Sequence, residues 1–204
     1  MLARGGRGRQ GGGGDTLRRM ADRHLYLIRH GQYDRARESP TLGRLTPLGR
    51  RQARHLAKAL RTLPVDVIHH STLVRAQETA EILGEVIDAP MTRSSLLREG
   101  LPGMRGKRPI AVQRATMERF DRALAKFFKR TRGRDRHELI VCHGNLIRYV
   151  MLKALEVDTR AWARIQVPCF CSVTRMTIRG RTGWKILESY GDASHLPVAA
   201  RLRF

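Results

Sequence analysis

Acidic residues are scarce in this chain of 204 residues: 18 Asp and Glu stand against 40 Lys and Arg, which gives a net charge of +22. Such an excess first suggests a polyanionic partner, such as nucleic acid, an anionic membrane or a phosphorylated ligand. Only six of the 40 basic residues are lysines, and the 34 arginines are spread along the whole chain. The charge is therefore a general property of the composition and does not by itself define a binding site.

Aromatic residues are also few, at 5% of the chain, with two Trp, five Phe and four Tyr. A stacking platform for single-stranded nucleic acid needs aromatic side chains interleaved with basic ones, and this sequence lacks that pattern. The composition therefore argues against nucleic acid as a partner, and a basic nucleic-acid-binding protein is kept only as the non-enzyme alternative.

Long hydrophobic runs are absent, since no stretch approaches the roughly 18 apolar residues that a membrane span requires. We therefore expect no membrane span. The chain has three cysteines, Cys142, Cys169 and Cys171, and all three lie in apolar runs. An odd number of buried cysteines argues against a disulfide framework and indicates a reducing compartment, so we expect a cytoplasmic protein. Cys169 and Cys171 could also mark a metal site, but without further ligands nearby a core position is favoured.

The composition divides the chain into three parts. Residues 1–22 are predicted to be a flexible Gly/Arg-rich N-terminal arm, because glycine-rich sequence without apolar periodicity buries too little surface to order itself. Residues 23–196 carry the apolar periodicity of one folded domain, and residues 197–204 are predicted to be a C-terminal tail.

Within the domain, strand-like apolar runs alternate with helical patterns. This alternation predicts an α/β fold, a three-layer α/β/α sandwich around a mostly parallel sheet, with ligands bound beyond the carboxyl ends of the strands. Strands are predicted at His24–Ile28, Val65–His69, Glu138–Cys142, Cys169–Ile178 and Trp184–Tyr190. Helices are predicted at Thr46–Leu63, Thr72–Ile87, Ala111–Thr131 and Asn145–Leu155.

Two histidines directly follow two of these strands. His30 lies in Arg29-His30-Gly31 after the first strand, and His143 precedes Gly144 after the Glu138–Cys142 strand. Because parallel strands end at one edge of the sheet, both rings are expected to face one pocket. The glycine after each histidine permits a sharp turn and a close approach of backbone amides to a ligand.

Two arginines and one carboxylate complete the candidate site. Arg75 lies in the first turn of a predicted helix, where its guanidinium could join that of Arg29 in holding phosphate oxygens. Glu99, in a loop after a short apolar stretch, could serve as a proton donor. Ser71 and Asn145 are interpreted first as helix-capping residues, and His195 as a loop residue that could return near the pocket mouth.

The ordered set of these motifs resembles the histidine phosphatase superfamily, also called phosphoglycerate-mutase-like. The resemblance is carried by Arg29-His30-Gly31, Leu45-Thr46-Pro47-Leu48-Gly49, Ser71 with Arg75-Ala76 and Thr79-Ala80, Glu99, and His143-Gly144. The runs around Gln32-Tyr33, Leu96–Gly100 and Asn145–Tyr149 are most similar to the mitochondrial serine/threonine protein phosphatase branch and its bacterial relatives.

The resemblance implies a phosphomonoesterase that works through a phosphohistidine intermediate and needs neither metal nor cofactor. His30 would be the nucleophile, Glu99 the general acid and base, and His143 a further catalytic residue. The phosphate would be held by Arg29, Arg75, His143 and Gly144.

The substrate is less defined than the reaction. Residues 100–136 hold twelve Lys and Arg against three acidic residues, a rim that would attract anionic substrates. A phosphoprotein substrate is favoured, while phosphohistidine, sugar phosphates and nucleotides stay open as alternatives, as does a scaffolding role without catalysis. The sequence also leaves open whether the chain forms a homo-oligomer.

Overall fold

The computed structural model describes residues 20–34, 43–102 and 111–202. Its strands are β1 (Met20–Ala21), β2 (Arg23–Arg29), β3 (Val65–Ser71), β4 (Met91–Ser94), β5 (Thr131–Arg132), β6 (Arg136–Cys142), β7 (Val173–Ile178) and β8 (Lys185–Asp192). Its α-helices are α1 (Pro47–Leu60), α2 (Val74–Gly84), α3 (Ala111–Phe127) and α4 (Gly144–Ala154). Short 3-10 helices span Ser95–Leu97, Thr159–Arg164 and Val198–Ala200.

Six of the strands form one sheet, in the order β4-β3-β6-β2-β7-β8. The first four are mutually parallel, whereas β7 and β8 are antiparallel to their neighbours. The predicted mostly parallel α/β fold is thus confirmed, with an antiparallel edge added. The edge strand β4 was missed because it is four residues long and largely exposed, without the apolar alternation that signals a strand.

Residues of β2 alternate between two hydrophobic clusters, one on each face of the sheet. Tyr26 and Ile28 pack with apolar side chains of α1 and α2. Leu25 and Leu27 pack with those of α3 and α4. A strand buried on both faces needs helices on both, which accounts for the three layers.

Local sequence explains where α1 begins. Thr46 is its N-cap, and its hydroxyl accepts a hydrogen bond from the N–H of Gly49 at 3.0 Å. Pro47 occupies the first turn, where its missing N–H costs nothing. The helix then buries Ala53, Leu56 and the residues at helical spacing around them against the sheet.

The folded part of the chain extends beyond both predicted boundaries. Residues 1–19 of the predicted arm lie outside the described residues, but Met20–Ala21 pairs with β5, so the boundary after residue 22 was placed too late. The predicted 197–204 tail packs on the domain as far as it is described. The carbonyl of Ala200 accepts from the Gln52 amide at 2.7 Å, and that of Leu202 accepts from the Phe170 N–H at 2.8 Å.

A buried ion pair joins the central strands at the end of the sheet where β2 begins. Glu138 of β6 is 3% exposed and accepts two hydrogen bonds from the Arg23 guanidinium of β2, at 2.5 and 3.0 Å. The His69 ring of β3 lies 3.4 Å from the same carboxylate. Burial alone would raise the pKa of Glu138, but the hydrogen bonds from His69 and Arg23 outweigh it and lower the pKa to about 2.

Replacing Glu138 with Gln should lower the free energy of unfolding at pH 7 by about 3 kcal/mol, because the Arg23 guanidinium would stay buried without its carboxylate. The loss should shrink as the pH falls from 4.5 towards about 2, since only the ionised carboxylate stabilises the folded state. Urea unfolding followed by circular dichroism measures both effects. Glu85→Gln, at an exposed position, is the matched control, and equal stability of Glu138→Gln and wild type at pH 7 would contradict the prediction.

Candidate active site

The two histidines leave neighbouring parallel strands at the same height. The β2–β6 ladder ends with Arg29 opposite Cys142, so His30 and His143 are the next residues on each strand. The N–H of His30 continues the ladder by donating to the Cys142 carbonyl at 3.1 Å. The two rings lie 5.0 Å apart between centroids, and both are buried. The structure therefore brings these two predicted residues together.

The hydrogen bonds of His30 define which ring nitrogen carries the proton. Nδ1 lies 2.8 Å from the Gly31 carbonyl, which can only accept, so Nδ1 must be the protonated donor. Nε2 in turn accepts from the Arg75 Nε–H at 3.1 Å. His30 is thus a neutral imidazole whose lone pair at Nε2 points towards a guanidinium.

The carbonyl that holds this proton is itself fixed by backbone packing. A Cβ on Gly31 would lie 2.7 Å from the Gly49 carbonyl oxygen, and a Cβ on Gly49 would lie 2.0 Å from the Gln32 carbonyl oxygen. Neither position has room for a side chain. The first turn of α1 therefore rests directly on the turn that follows His30.

The two predicted guanidiniums flank the histidines and are supported by aromatic rings. Arg29 lies 3.9 Å above the Phe170 ring, and its Nη1 donates to the Pro168 carbonyl at 2.6 Å. Arg75 lies 4.5 Å above the Tyr33 ring. Cation–π contacts and burial hold both forks in one orientation.

His143 presents one ring nitrogen without a partner. Its Nε2 lies 2.9 Å from the Ser71 hydroxyl, which also accepts from the Leu73 N–H. Nδ1, within the described part of the chain, is buried with no hydrogen-bond partner. An unpaired buried polar atom costs about 1–3 kcal/mol, so this nitrogen is well suited to a hydrogen bond with a ligand.

Glu99 reaches the same edge of the sheet through β4, which pairs with β3 in parallel, with Ser94 opposite Ser71. Its carboxylate accepts hydrogen bonds from the N–H of Gly100, at 3.0 Å, and from the N–H of Asn145 at the start of α4. Gly144 lies against Arg29, because a Cβ there would be 3.6 Å from the Arg29 Nε. The predicted site residues thus lie near one another at one edge of the sheet.

Burial shifts the histidines and the carboxylate in opposite directions. Loss of solvation is the largest cause that holds the pKa of His30 well below its ordinary value. The neighbouring His143 and the charges of Arg75 and Arg29 lower that pKa further. Burial raises the pKa of Glu99, although hydrogen bonding and the two arginines oppose that rise. Both shifts favour the neutral forms, a free imidazole and a protonated carboxyl.

Other candidates lie outside the pocket. The His195 ring donates to the Cys171 carbonyl at 2.9 Å and lines a separate surface cleft with Tyr26 and Val173. Cys169 and Cys171 are buried in the cluster beneath α1 and α2. Among the described residues, no three His, Cys, Asp or Glu side chains are grouped as metal ligands would be.

Sequence reasoning missed the supporting residues. Ser71 was interpreted as a helix cap, but it orients the His143 ring. Phe170 was not predicted as a site residue, although its ring packs against the Arg29 guanidinium. Thr79 accepts from the Gly31 N–H at 3.1 Å and donates to the Arg75 carbonyl at 2.7 Å. Its place in the motif with Arg75 was the only available signal.

Comparison with known proteins places this geometry in context. The model of the family described as "Histidine phosphatase superfamily (branch 1)" matches residues 25–123 and 113–190. A mitochondrial serine/threonine-protein phosphatase Pgam5 from Caenorhabditis elegans is 38% identical over 190 residues, 87% of this chain. This chain spans 65% of that relative's length. The Xenopus tropicalis protein of the same name is 34% identical, with 87% of this chain and 67% of the relative aligned.

Solved structures share the fold. A phosphoglycerate mutase from Plasmodium falciparum is 29% identical with a TM-score of 0.62, over 87% of this chain and 96% of its own. Bacillus stearothermophilus YhfR is 24% identical with a TM-score of 0.71, over 85% and 98% of the two chains.

The names of the curated relatives contradict the expected cytoplasmic location, because they point to a mitochondrial one. Free cysteines indicate a reducing compartment, but they do not distinguish the cytosol from the reducing interior of an organelle. In the described part of the chain, none of the helices is both long and apolar enough to cross a membrane.

Replacing Gly49 with Ala should lower the free energy of unfolding by about 1–3 kcal/mol, the usual range for overpacking, because the new methyl group collides with the Gln32 carbonyl. Chemical denaturation measures the loss. Gly84→Ala, at the end of α2, is the matched control because its Cβ meets only the flexible Met91 side chain, at 3.3 Å. That variant should be neutral or slightly stabilised. Similar stabilities for the two variants would show that the backbone contact is unimportant.

Proposed function

Because the chain belongs to the histidine phosphatase superfamily, we propose that it is a metal-independent phosphomonoesterase that acts through a phosphohistidine intermediate. The observation that carries the proposal is the neutral His30, with its proton on Nδ1 and its Nε2 lone pair facing the Arg75 guanidinium. A nucleophilic imidazole needs this protonation state, and a phosphoryl group needs a cation at this position.

The first step transfers the phosphoryl group to the protein. Nε2 of His30 attacks phosphorus in line, the N–P bond forms, and the bond from phosphorus to the ester oxygen breaks. Arg75 exchanges its hydrogen bond to Nε2 for the phosphoryl oxygens, which Arg29 and Nδ1 of His143 also hold. Protonated Glu99 gives its proton to the leaving oxygen, so the product departs as a neutral alcohol.

The second step returns the protein to its initial state. A water molecule attacks the phosphohistidine, and the Glu99 carboxylate takes up the proton that this water loses. The N–P bond breaks, orthophosphate leaves, and His30 is again neutral. The raised pKa of Glu99 suits both roles, because a pKa closer to neutral pH lowers the cost of holding the proton in the first step.

The proposed substrate is a phosphoserine or phosphothreonine protein. The names of the curated relatives support this class. The described part of the basic rim supports an anionic substrate, since α3 exposes Arg114 and Arg122. A panel of phosphoserine and phosphothreonine peptides, phosphohistidine, sugar phosphates and nucleotides tests it. Preference for phosphohistidine or a small phosphate would replace the protein-phosphatase assignment without changing the reaction.

His30→Ala should reduce hydrolysis of p-nitrophenyl phosphate by about 1,000-fold or more, because the group that receives the phosphoryl is gone. The assay contains EDTA to silence metal-dependent contaminants. The matched control is His55→Ala, at an exposed position on α1, which should keep wild-type activity. Acid-labile, alkali-stable labelling of wild type by a radiolabelled substrate should be absent from His30→Ala. Persistent activity or labelling in that variant would refute the nucleophile.

Glu99→Gln should remove the alkaline limb of the pH–rate profile for a phosphoserine peptide. In wild type the rate falls as rising pH ionises Glu99, and its raised pKa moves that fall above the ordinary carboxyl range. The acidic limb reports protonation of His30, whose lowered pKa moves it well below the ordinary value, and it should remain in both proteins. An unchanged alkaline limb in Glu99→Gln would assign the acid to another group.

A further inference from the structure

One side chain of α3 binds the backbone of the loop that carries Glu99. The Arg119 guanidinium donates through Nη1 to the carbonyls of Leu96, at 3.5 Å, and Arg98. Through Nη2 it donates to the Glu99 carbonyl at 3.0 Å. A planar fork of donors can serve several carbonyls at once, which a single ammonium group cannot do as well.

The same loop is pressed against α3 without free space. A Cβ on Gly100 would lie 2.6 Å from the Thr116 methyl carbon and 2.9 Å from the Arg119 Nη2. Leu97, just before the acid, is 2% exposed and packs in the cluster formed by α3 and α4. The backbone on both sides of Glu99 therefore takes its position from α3.

The Glu99 carboxylate accepts hydrogen bonds from two N–H groups, that of Asn145 at the start of α4 and that of Gly100 in the loop. The Gly100 N–H moves with the loop backbone. Arg119 holds that backbone, so a shift of the loop away from α3 would carry the carboxyl away from the ester oxygen. Misplacement of a catalytic group by about 1 Å can cost on the order of 100-fold in rate.

We propose that Arg119 is a positioning residue that keeps Glu99 within reach of the leaving oxygen, and that it thereby extends the substrate range to alkyl phosphate esters. This inference rests on the proposed function of Glu99. A serine or threonine alkoxide leaves poorly unless it is protonated, whereas a nitrophenolate is a stable anion and leaves without help. Loss of Arg119 should therefore affect the first class of substrate and spare the second.

The test compares Arg119→Met with Arg54→Met, which removes the same charge from an exposed position on α1, outside the basic rim. For a phosphoserine peptide, Arg119→Met should lower kcat/KM by about 10- to 100-fold. For 2,4-dinitrophenyl phosphate the loss should stay within about threefold, as it should for Arg54→Met with both substrates. Arg119→Lys should recover part of the peptide activity, because one ammonium group replaces only some of the hydrogen bonds.

The outcomes separate this inference from the proposed function. Equal losses on both substrates, or no loss on either, would overturn the positioning role. If Glu99→Gln shows the leaving-group preference and Arg119→Met does not, only the role of Arg119 fails. If Glu99→Gln shows no such preference, the acid is another group, and the roles proposed for Glu99 and for Arg119 are both refuted. Thermal unfolding shows whether each variant is folded at the assay temperature. If Arg119→Met is unfolded there, Arg119→Lys is compared with wild type in its place.

Discussion

The parallel ladder between β2 and β6 is the constraint on which the rest of the pocket depends. Its last register pair places His30 and His143 side by side, and their 5.0 Å separation follows the spacing of roughly 4.8 Å between neighbouring strands. A slip of one residue would turn one ring to the opposite face of the sheet. The width of the pocket is therefore a property of the sheet, and the Arg23–Glu138 pair stabilises the same two strands at their other end.

Burial performs two tasks in this pocket with one physical effect. Removal from water disfavours charge on any group, so it lowers the pKa of His30 and raises that of Glu99. Both shifts are therefore towards the neutral forms that the first step requires. The buried guanidiniums of Arg29 and Arg75 reinforce the first shift and limit the second. Their charge favours the ionised form of Glu99, which the second step needs. The same two side chains therefore serve both halves of the reaction.

The sequence predicts the parts of the site that follow from strand direction. Histidines placed directly after two apolar strands must meet at one sheet edge if those strands are parallel, and His30 and His143 do meet there. The position of Glu99 at the same sheet edge could not be predicted from strand direction, because β4, the strand that precedes it, has no apolar pattern. The positive φ of Cys171 and the return of His195 to that residue depend on tertiary contacts, which a local pattern does not contain. The predicted cytoplasmic location was wrong because cysteine content indicates the redox state of a compartment and does not identify the compartment.

The contact between Gly31 and Gly49 affects the chemistry of the site as well as the stability of the fold. The Gly31 carbonyl determines which nitrogen of His30 is protonated, and α1 holds the Gly31–Gln32 peptide through the close backbone contact at Gly49 and through the Gln52 side chain, which accepts from the Gln32 N–H at 2.9 Å. The tautomer of the nucleophile is therefore set by the seating of a 14-residue helix on the sheet. Any partner that shifted α1 along the sheet would act on the identity of the reactive nitrogen, and so would control the chemistry without entering the pocket.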